Sequence, residues 1–114
     1  MILNIKATGI ELTEPIKQYA QEKFEGLSKY FDNIQQADID IGMRGHHHLK
    51  GKVYYAEVNL HVPEKITRVV KDAEELYKAI DKVRDHLKVE LKKMKEKKRA
   101  KDRTQIREQK EYHE

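Results

Sequence analysis

Cysteine is absent from this 114-residue chain, and no apolar run approaches the roughly 20 residues that a membrane-spanning helix needs. The absence of cysteine excludes disulfides and thiolate chemistry, and it leaves only histidine and carboxylates as possible zinc ligands. The first residues also lack the cationic segment and apolar run of a signal peptide. We therefore expect a cytoplasmic protein of one domain that has no membrane partner.

Recognised catalytic motifs are missing as well. The chain has no G-x-S-x-G sequence, no P-loop and no G-x-G-x-x-G sequence. The strongest catalytic candidate is the pair Asp38 and Asp40, which lies near Glu57 on one face of a predicted sheet and could supply an acid and a base. Nothing apolar is predicted around these carboxylates to raise a pKa, so solvent-exposed acids are the simpler interpretation. We predict that the protein is not an enzyme and has no small-molecule substrate.

Histidines offer the one candidate metal site. His46, His47 and His48 stand together in a loop between two glycines, and His61 lies on a neighbouring predicted strand. Consecutive loop histidines rarely all face one ion, and no carboxylate stands at a helpful spacing. An exposed loop is therefore the simpler interpretation, and we predict no metal and no cofactor.

Charged residues make up 39% of the chain, and their signs are unevenly distributed. The segment from Lys82 to Arg103 holds eleven basic and four acidic side chains, a net charge of +7, whereas the whole chain carries +4. Apolar residues recur there at steps of three and four, as on one face of a helix: Leu76, Ile80, Val83, Leu87, Leu91 and Met94. We predict one long helix from an N-cap at Asp72 to about Arg99, with an apolar stripe and a cationic surface.

The remaining elements follow from periodicity and capping residues. Thr13 and Pro15 mark the start of a first helix that runs to about Phe31. The predicted strands are Ile2–Ala7, Ala37–Met43, Lys52–Val62 and Ile66–Lys71. This βαβββα order predicts an α+β fold in which two helices pack on one face of a four-stranded sheet. We expect this domain to span residues 1–100, with a flexible polar tail over 101–114, and we expect Tyr55 on the exposed sheet face.

The cationic helix is the strongest functional signal in the sequence. Its lysines are poorly matched by acids four residues away, so they are not simply neutralised along the helix, and nucleic-acid phosphates are a suitable partner. No aromatic residues interleave with them, which favours recognition of folded RNA by backbone shape over stacking on single strands. A solvated helix face, a generic double-stranded-RNA module and a protein-interaction domain that uses this helix stay open as alternatives.

An ordered set of residues resembles a known family. The N-terminal group comprises Leu3, Asn4, Ile5, Glu11, Leu12, Thr13, Ile16, Lys23, Phe24, Leu27, Tyr30, Phe31 and Asp32. The C-terminal group comprises Tyr77, Ala79, Ile80, Asp81, Leu87, Leu91, Lys93, Lys95 and Lys97. From Met1 to about Lys98 the chain resembles the bacterial ribosome hibernation factors, which include the short hibernation-promoting factor and protein Y. The family fold is also βαβββα.

The resemblance implies a function. Such a factor binds the small (30S) ribosomal subunit through 16S rRNA, covers the decoding centre and the sites of mRNA and tRNA, and represses translation sterically in stationary phase or stress. We expect a monomer away from the ribosome. The matching basic positions are Lys23, Lys93, Lys95 and Lys97, and neighbouring cations of the two helices extend the candidate rRNA-binding set to Lys23, Lys29, Lys82, Arg84, Lys88, Lys92, Lys93, Lys95 and Lys97. The chain departs from the family at Gly26, His86 and Val89, where lysine or arginine is common.

Overall fold

The structure, a computed structural model, describes residues 1–44 and 53–112, with side chains described up to residue 103. Its strands are β1 (Ile2–Thr8), β2 (Gln36–Met43), β3 (Tyr54–Val62) and β4 (Lys65–Ala73). Its helices are α1 (Glu14–Glu25), which continues into a 3-10 turn at Gly26–Lys29, and α2 (Leu76–Tyr112). The predicted βαβββα order is confirmed.

The four strands form one sheet in the order β1-β2-β3-β4. Strand β1 is parallel to β2, whereas the pairs β2–β3 and β3–β4 are antiparallel. The parallel pair is possible because α1 and its flanking loops provide the long crossover that parallel neighbours need. Short connections suffice for the antiparallel pairs, as at the two-residue turn between Val62 and Lys65.

Both helices bury their apolar stripes against the same face of the sheet. The strands contribute alternate residues to this core, such as Ile39, Ile41 and Val58, because successive side chains of a strand point to opposite faces. The helices contribute fully buried residues at helical spacing: Ala20, Phe24, Ile80, Val83, Leu87 and Leu91. One sheet with two helices on one face is therefore confirmed, and the other sheet face is left open.

Capping residues position α1. The Thr13 side chain accepts a hydrogen bond from the backbone N–H of Ile16 at 3.4 Å, and Pro15 lies in the first turn, where its missing N–H is not needed. The α-helical geometry ends at Glu25, and the 3-10 turn carries the chain to Lys29. Tyr30 directly follows this turn and lies beside α2, where its ring contacts Lys88 and Lys92.

The predicted bounds of α2 are wrong at both ends. Asp72 is not its N-cap, since it lies in β4 opposite Tyr55 of β3, and the ladder between these strands continues to Ala73. At the other end the backbone stays helical to Tyr112, because Lys, Arg, Glu and Gln favour helix and no Gly or Pro interrupts them. The end of α2 predicted at about Arg99 is thus corrected, while the flexible polar tail over 101–114 and the domain boundary at residue 100 stay predictions.

Tyr55 also differs from expectation. It does project from the open sheet face, but only 6% of the residue is exposed. The Arg44 guanidinium lies over its ring, 4.8 Å from the centroid, and covers it. Burial is also the main reason that the pKa of Tyr55 is raised.

Among the described residues, no helix combines the length and the apolar character that crossing a membrane would require.

Candidate nucleic-acid interface

The cations of α2 lie in two rows that flank its buried stripe. Residues three or four apart share a helix face, so the predicted binding residues divide by spacing. The α1-side row comprises Arg84, Lys88, Lys92 and Lys95. The β4-side row comprises Lys82, Lys93 and Lys97. Contacts identify the flanks: Lys88 and Lys92 lie over the ring of Tyr30, which follows α1, whereas Lys82 Nζ donates to the backbone carbonyl of Asp72 in β4 at 3.1 Å.

The Tyr30 ring contacts two lysines of the α1-side row, Lys88 and Lys92. The ammonium groups of Lys88 and Lys92 lie 5.2 and 5.4 Å from the centroid of its ring. A cation at this distance over an aromatic face is held by about 0.5–1 kcal/mol at an exposed site. Neither lysine makes an ion pair with a described residue. The ring therefore restricts both ammonium groups without neutralising them.

A clamp between α1 and α2, formed by Tyr19, Lys23 and Asp81, places one more cation beside the α1-side row. The Tyr19 hydroxyl donates to Asp81 Oδ1 at 2.6 Å, and Lys23 Nζ lies 3.6 Å from the same oxygen and 5.3 Å from the centre of the Tyr19 ring. Tyr77 packs edge-on against Tyr19, with 4.6 Å between ring centroids. Burial, followed by the bond to Asp81, raises the pKa of Tyr19 to about 12. The clamp thus keeps Lys23 beside the α1-side row.

Arg84 lies at the same junction between the helices. One of its terminal nitrogens is 3.2 Å from Asp85, but its buried Nε has no hydrogen-bond partner among the described residues. A guanidinium can donate five hydrogen bonds in a planar fork, so the terminal nitrogens of this partly exposed side chain, and not the buried Nε, keep donors for an external acceptor. It is the one arginine of the candidate set, and arginine suits bidentate phosphate recognition.

We therefore assign six of the nine candidate residues to the α1 side of α2 and three to its β4 side. The six residues of the α1 side, which we call the α1-side surface, are Lys23, Lys29, Arg84, Lys88, Lys92 and Lys95. Lys29 belongs to it because it ends the 3-10 turn directly before Tyr30. Lys23, Arg84 and Lys93 have acidic neighbours within 4 Å, whereas Lys29, Lys88, Lys92, Lys95 and Lys97 make no ion pair with a described residue.

Sequence reasoning missed the part that aromatic side chains play at this surface. It placed Tyr30 at the end of the first helix, which was predicted to run to about Phe31, and it found no aromatic residue interleaved with the lysines of the second. Tyr30 reaches those lysines across the helix pair, so no pattern within α2 could have revealed it. Tyr30 and Asp81 do match the family in sequence, which marked them as positions of interest, but the match did not show which side chains they contact.

The open sheet face holds the carboxylates that were considered for catalysis. Asp38 accepts hydrogen bonds from Asn4 at 2.9 Å and Gln36 at 2.8 Å, and His61 Nε2 lies 2.8 Å from its other oxygen. These three partners lower the pKa of Asp38 to about 2. A carboxylate held so firmly in its ionised form is a poor proton donor near neutral pH.

Asp40 and Glu57 are bound in the same way. Thr8 donates to Asp40 at 2.9 Å, and Arg68 donates to Glu57 at 2.8 Å and lowers the pKa of that carboxyl. Within 1–44 and 53–103, no three His, Asp or Glu side chains are placed to hold a metal ion. The candidate ligands His46–His48 lie outside the described residues.

The chain matches the family model described as Sigma 54 modulation protein / S30EA ribosomal protein over residues 3–99. It is 33% identical over 96 residues to a ribosome hibernation promotion factor of Deinococcus radiodurans, which covers 82% of this chain and 49% of the relative. A factor of the same name from Bacillus subtilis is 30% identical over 105 residues, covering 92% of this chain and 54% of the relative. The chain thus spans about half the length of these two relatives.

A shorter relative and a solved structure agree with this assignment. The ribosome hibernation promoting factor of Escherichia coli is 30% identical over 97 residues, which are 85% of this chain and 96% of the relative. The crystal structure of the Thermus thermophilus Protein Y N-terminal domain superposes with a TM-score of 0.69 at 27% identity, covering 82% of this chain and 99% of that one. The resemblance predicted from the sequence is confirmed: the chain belongs to the Sigma 54 modulation protein / S30EA ribosomal protein family.

Proposed function

We propose that this chain is a ribosome hibernation factor that binds the small (30S) ribosomal subunit through 16S rRNA and represses translation sterically. The observation that carries the proposal is the α1-side surface, where six cations from two helices converge and four of them make no ion pair with a described residue. The names of the relatives, ribosome hibernation promotion factors from several bacteria, support the same role.

The mechanism is occupation of a site and involves no chemical reaction. Lysine and arginine contact rRNA phosphates and release counterions, which provides affinity without reading sequence. The aromatic supports fix where several cations lie, which suits recognition of a folded RNA by its shape. A factor that fills the decoding centre and the channel of mRNA and tRNA would exclude both from an idle ribosome in stationary phase or stress. We place this action in the cytoplasm, where ribosomes work.

The β4-side row belongs to the same proposal. Lys82, Lys93 and Lys97 lie on the other flank of α2 from the α1-side surface, with Lys82 beside β4. A helix inserted into a channel meets walls on both flanks, and two rows of cations suit that position. We therefore assign the whole candidate set to rRNA binding, with the α1-side surface as its centre.

Charge reversal tests the proposal directly. Lys88→Glu with Lys92→Glu should abolish co-sedimentation with small subunits at moderate salt, because two supported cations become anions facing phosphate. Lys6→Glu with Lys17→Glu changes the net charge equally at exposed positions of the open sheet face and of α1, and it should leave binding nearly unchanged. Equal pelleting of the two double variants would refute the assignment of the surface.

A generic double-stranded-RNA module is the second candidate, since two helices on one face of a sheet also suit that function. Competition separates the two. Under our proposal, free duplex RNA competes weakly with the subunit, because the surface fits a particular folded site. Displacement by an equal concentration of duplex would favour the generic module.

A further inference from the structure

A groove with an apolar floor and a cationic rim lies beside the far half of α2, where the helix passes the turn between β3 and β4. Its volume is about 370 Å3. The floor is formed by Phe31, Val62, Pro63 and Met94, and the rim by Lys65, Lys97, Lys98 and Lys101. Asn33 and Glu64 complete the lining. The groove thus combines an aromatic ring, a thioether and four ammonium groups within one concave site.

The rim is available to an external anion. None of its four lysines makes an ion pair with a described residue. Met94, Lys97, Lys98 and Lys101 are spaced by three and four residues, so they share one face of α2. The single acid of the groove, Glu64, lies in the two-residue turn and leaves the lysines in excess.

The neighbouring cations of the helix are arranged differently. Arg99 and Arg103 lie on another face of α2, together with Glu96 and Asp102. They belong to the same two turns of helix as Lys98 and Lys101 and carry the same charge. They have acids beside them and no apolar floor, so they provide a matched comparison within the same segment.

The chemistry of the groove fits an unpaired nucleotide. A nucleobase is flat and largely apolar on its faces, so it stacks on aromatic and apolar side chains, while its phosphates attract lysine. The Asn33 amide can both donate and accept a hydrogen bond at a base edge. A paired base inside a duplex cannot enter such a groove, because its faces are already covered by neighbouring bases.

We propose that this groove holds one unpaired nucleotide of an RNA strand, with the base against Phe31 and Met94 and the flanking phosphates on the lysines of the rim. The inference rests on the proposed function, because Lys97 belongs both to the groove and to the candidate rRNA-binding set, so an RNA bound along α2 is already next to the opening. An acidic peptide would satisfy the lysines as well, but glutamate and aspartate side chains have no flat apolar face to stack on Phe31 and Met94. We therefore assign the site to RNA.

Methionine methyl resonances report the base directly. The chain has three methionines, Met1, Met43 and Met94, and only Met94 lines the groove. In the 114-residue chain labelled with 13C-methyl methionine, titration with a single-stranded RNA oligonucleotide should shift the Met94 methyl proton upfield through the ring current of the base. The Met1 and Met43 resonances should stay in place, and a blunt duplex of the same length should not produce the upfield shift.

Two charge-reversal variants test the rim. Lys98→Glu with Lys101→Glu should weaken binding of the single-stranded oligonucleotide roughly tenfold more than Arg99→Glu with Arg103→Glu, and it should reduce the slope of log affinity against log salt by about two. Both variants change net charge by the same amount in the same turns of α2. Equal losses in the two variants would overturn the assignment of the rim.

The outcomes separate this inference from the proposed function. If the protein sediments with small subunits but the Met94 resonance does not respond to single-stranded RNA, the groove assignment is wrong and the proposed function stands. If the protein does not bind subunits, the proposed function fails, whatever the oligonucleotide does. A Met94 shift on addition of a glutamate-rich peptide, without one on addition of RNA, would overturn the RNA assignment and identify an acidic peptide site.

Discussion

The two faces of this molecule treat charge in opposite ways. On the open sheet face, the carboxylates are bound within the protein: Asp38 by three partners, Asp40 by Thr8 and Glu57 by Arg68. On the helical face, Lys23 and Arg84 lie beside acids, but several other cations have no acidic partner among the described residues, as is the case for Lys88 and Lys92 over Tyr30. Both faces are rich in charge, but the carboxylates named on the sheet face have partners within the protein, whereas several cations of the helical face have no acidic partner among the described residues.

This difference shows why a count of charged residues does not by itself locate a binding surface. A carboxylate that already accepts hydrogen bonds from the protein gains little from an external cation, because it would have to give up existing partners. A lysine over an aromatic ring keeps its full charge while losing part of its conformational freedom, so binding restricts it less. The sheet face should therefore govern stability, and the helical face should govern RNA binding.

The largest expected effect is that of salt concentration, which should change RNA binding by the helical face much more than the stability provided by the sheet face. If the six cations of the α1-side surface each contact a phosphate, affinity for the small subunit should fall on the order of a thousandfold between about 50 and about 200 mM salt. The free energy of unfolding should change little over the same range, because the partners on the sheet face are at hydrogen-bond distance and are weakly screened. Sedimentation and urea unfolding at matched salt concentrations measure the two quantities.

The control for this prediction is Asp38→Asn with Asp40→Asn, which alters charge only on the sheet face. Its salt dependence of subunit binding should have the same slope as that of the original chain. A flat salt response in the original chain, or a changed slope in the control, would contradict the division between the faces.

The next largest expected effect is on stability, from a methyl group added to β2 at Gly42. A Cβ at Gly42 would overlap the backbone carbonyl of Thr8 on β1, so Gly42→Ala should separate the parallel pair and cost about 2–3 kcal/mol of stability. At Gly26 an added Cβ meets no atom within 4 Å, and helical geometry continues through this residue, so Gly26→Ala should instead stabilise by about 0.5–1 kcal/mol. Urea unfolding followed by circular dichroism distinguishes them, and a Gly42→Ala variant of unchanged stability would contradict the close approach of β1 and β2.

Acid should reveal the Asp38 network. Its pKa is held near 2, below the value of about 4 in an unfolded chain, so the ionised form stabilises the fold above about pH 4, and the contribution is lost as pH falls through about 2. Because the side chain is 40% exposed, solvent screening limits the effect, and Asp38→Asn should cost up to about 1 kcal/mol near neutral pH. The stabilities of the original chain and the variant should converge near pH 2. A constant difference down to that pH would exclude the network as its source.

Local patterns predicted most of the fold correctly. The alternation of Ala37, Ile39 and Ile41 predicted the buried face of β2, and the spacing from Leu76 to Leu91 predicted the buried stripe of α2. Thr13 caps α1 as its side chain suggested. These features depend on residues close together in the sequence, where period and capping chemistry decide the outcome.

Features decided by distant residues could not be predicted in the same way. Asp72 has the side chain of an N-cap, but pairing with Tyr55 on another strand keeps it in β4. Tyr55 is buried because Arg44 covers its ring. The sequence named the cations of the candidate site and their spacing on α2, but which of them lie beside α1 and which beside β4 could be seen only from contacts between elements. The supporting ring of Tyr30 comes from a different element altogether.

The smallest expected effect concerns that ring. Tyr30→Leu keeps an apolar side chain against the core but removes the aromatic face beneath Lys88 and Lys92. Affinity for the small subunit should fall about threefold, because both lysines lose a weak cation–π contact and must then be ordered on binding. Tyr30→Phe retains the ring and should bind like the original chain. Equilibrium sedimentation at fixed low salt measures the affinities, with thermal unfolding to verify that both variants are folded. If Tyr30→Phe loses as much affinity as Tyr30→Leu, the hydroxyl and not the ring is the group that matters, and the lysines do not depend on aromatic support.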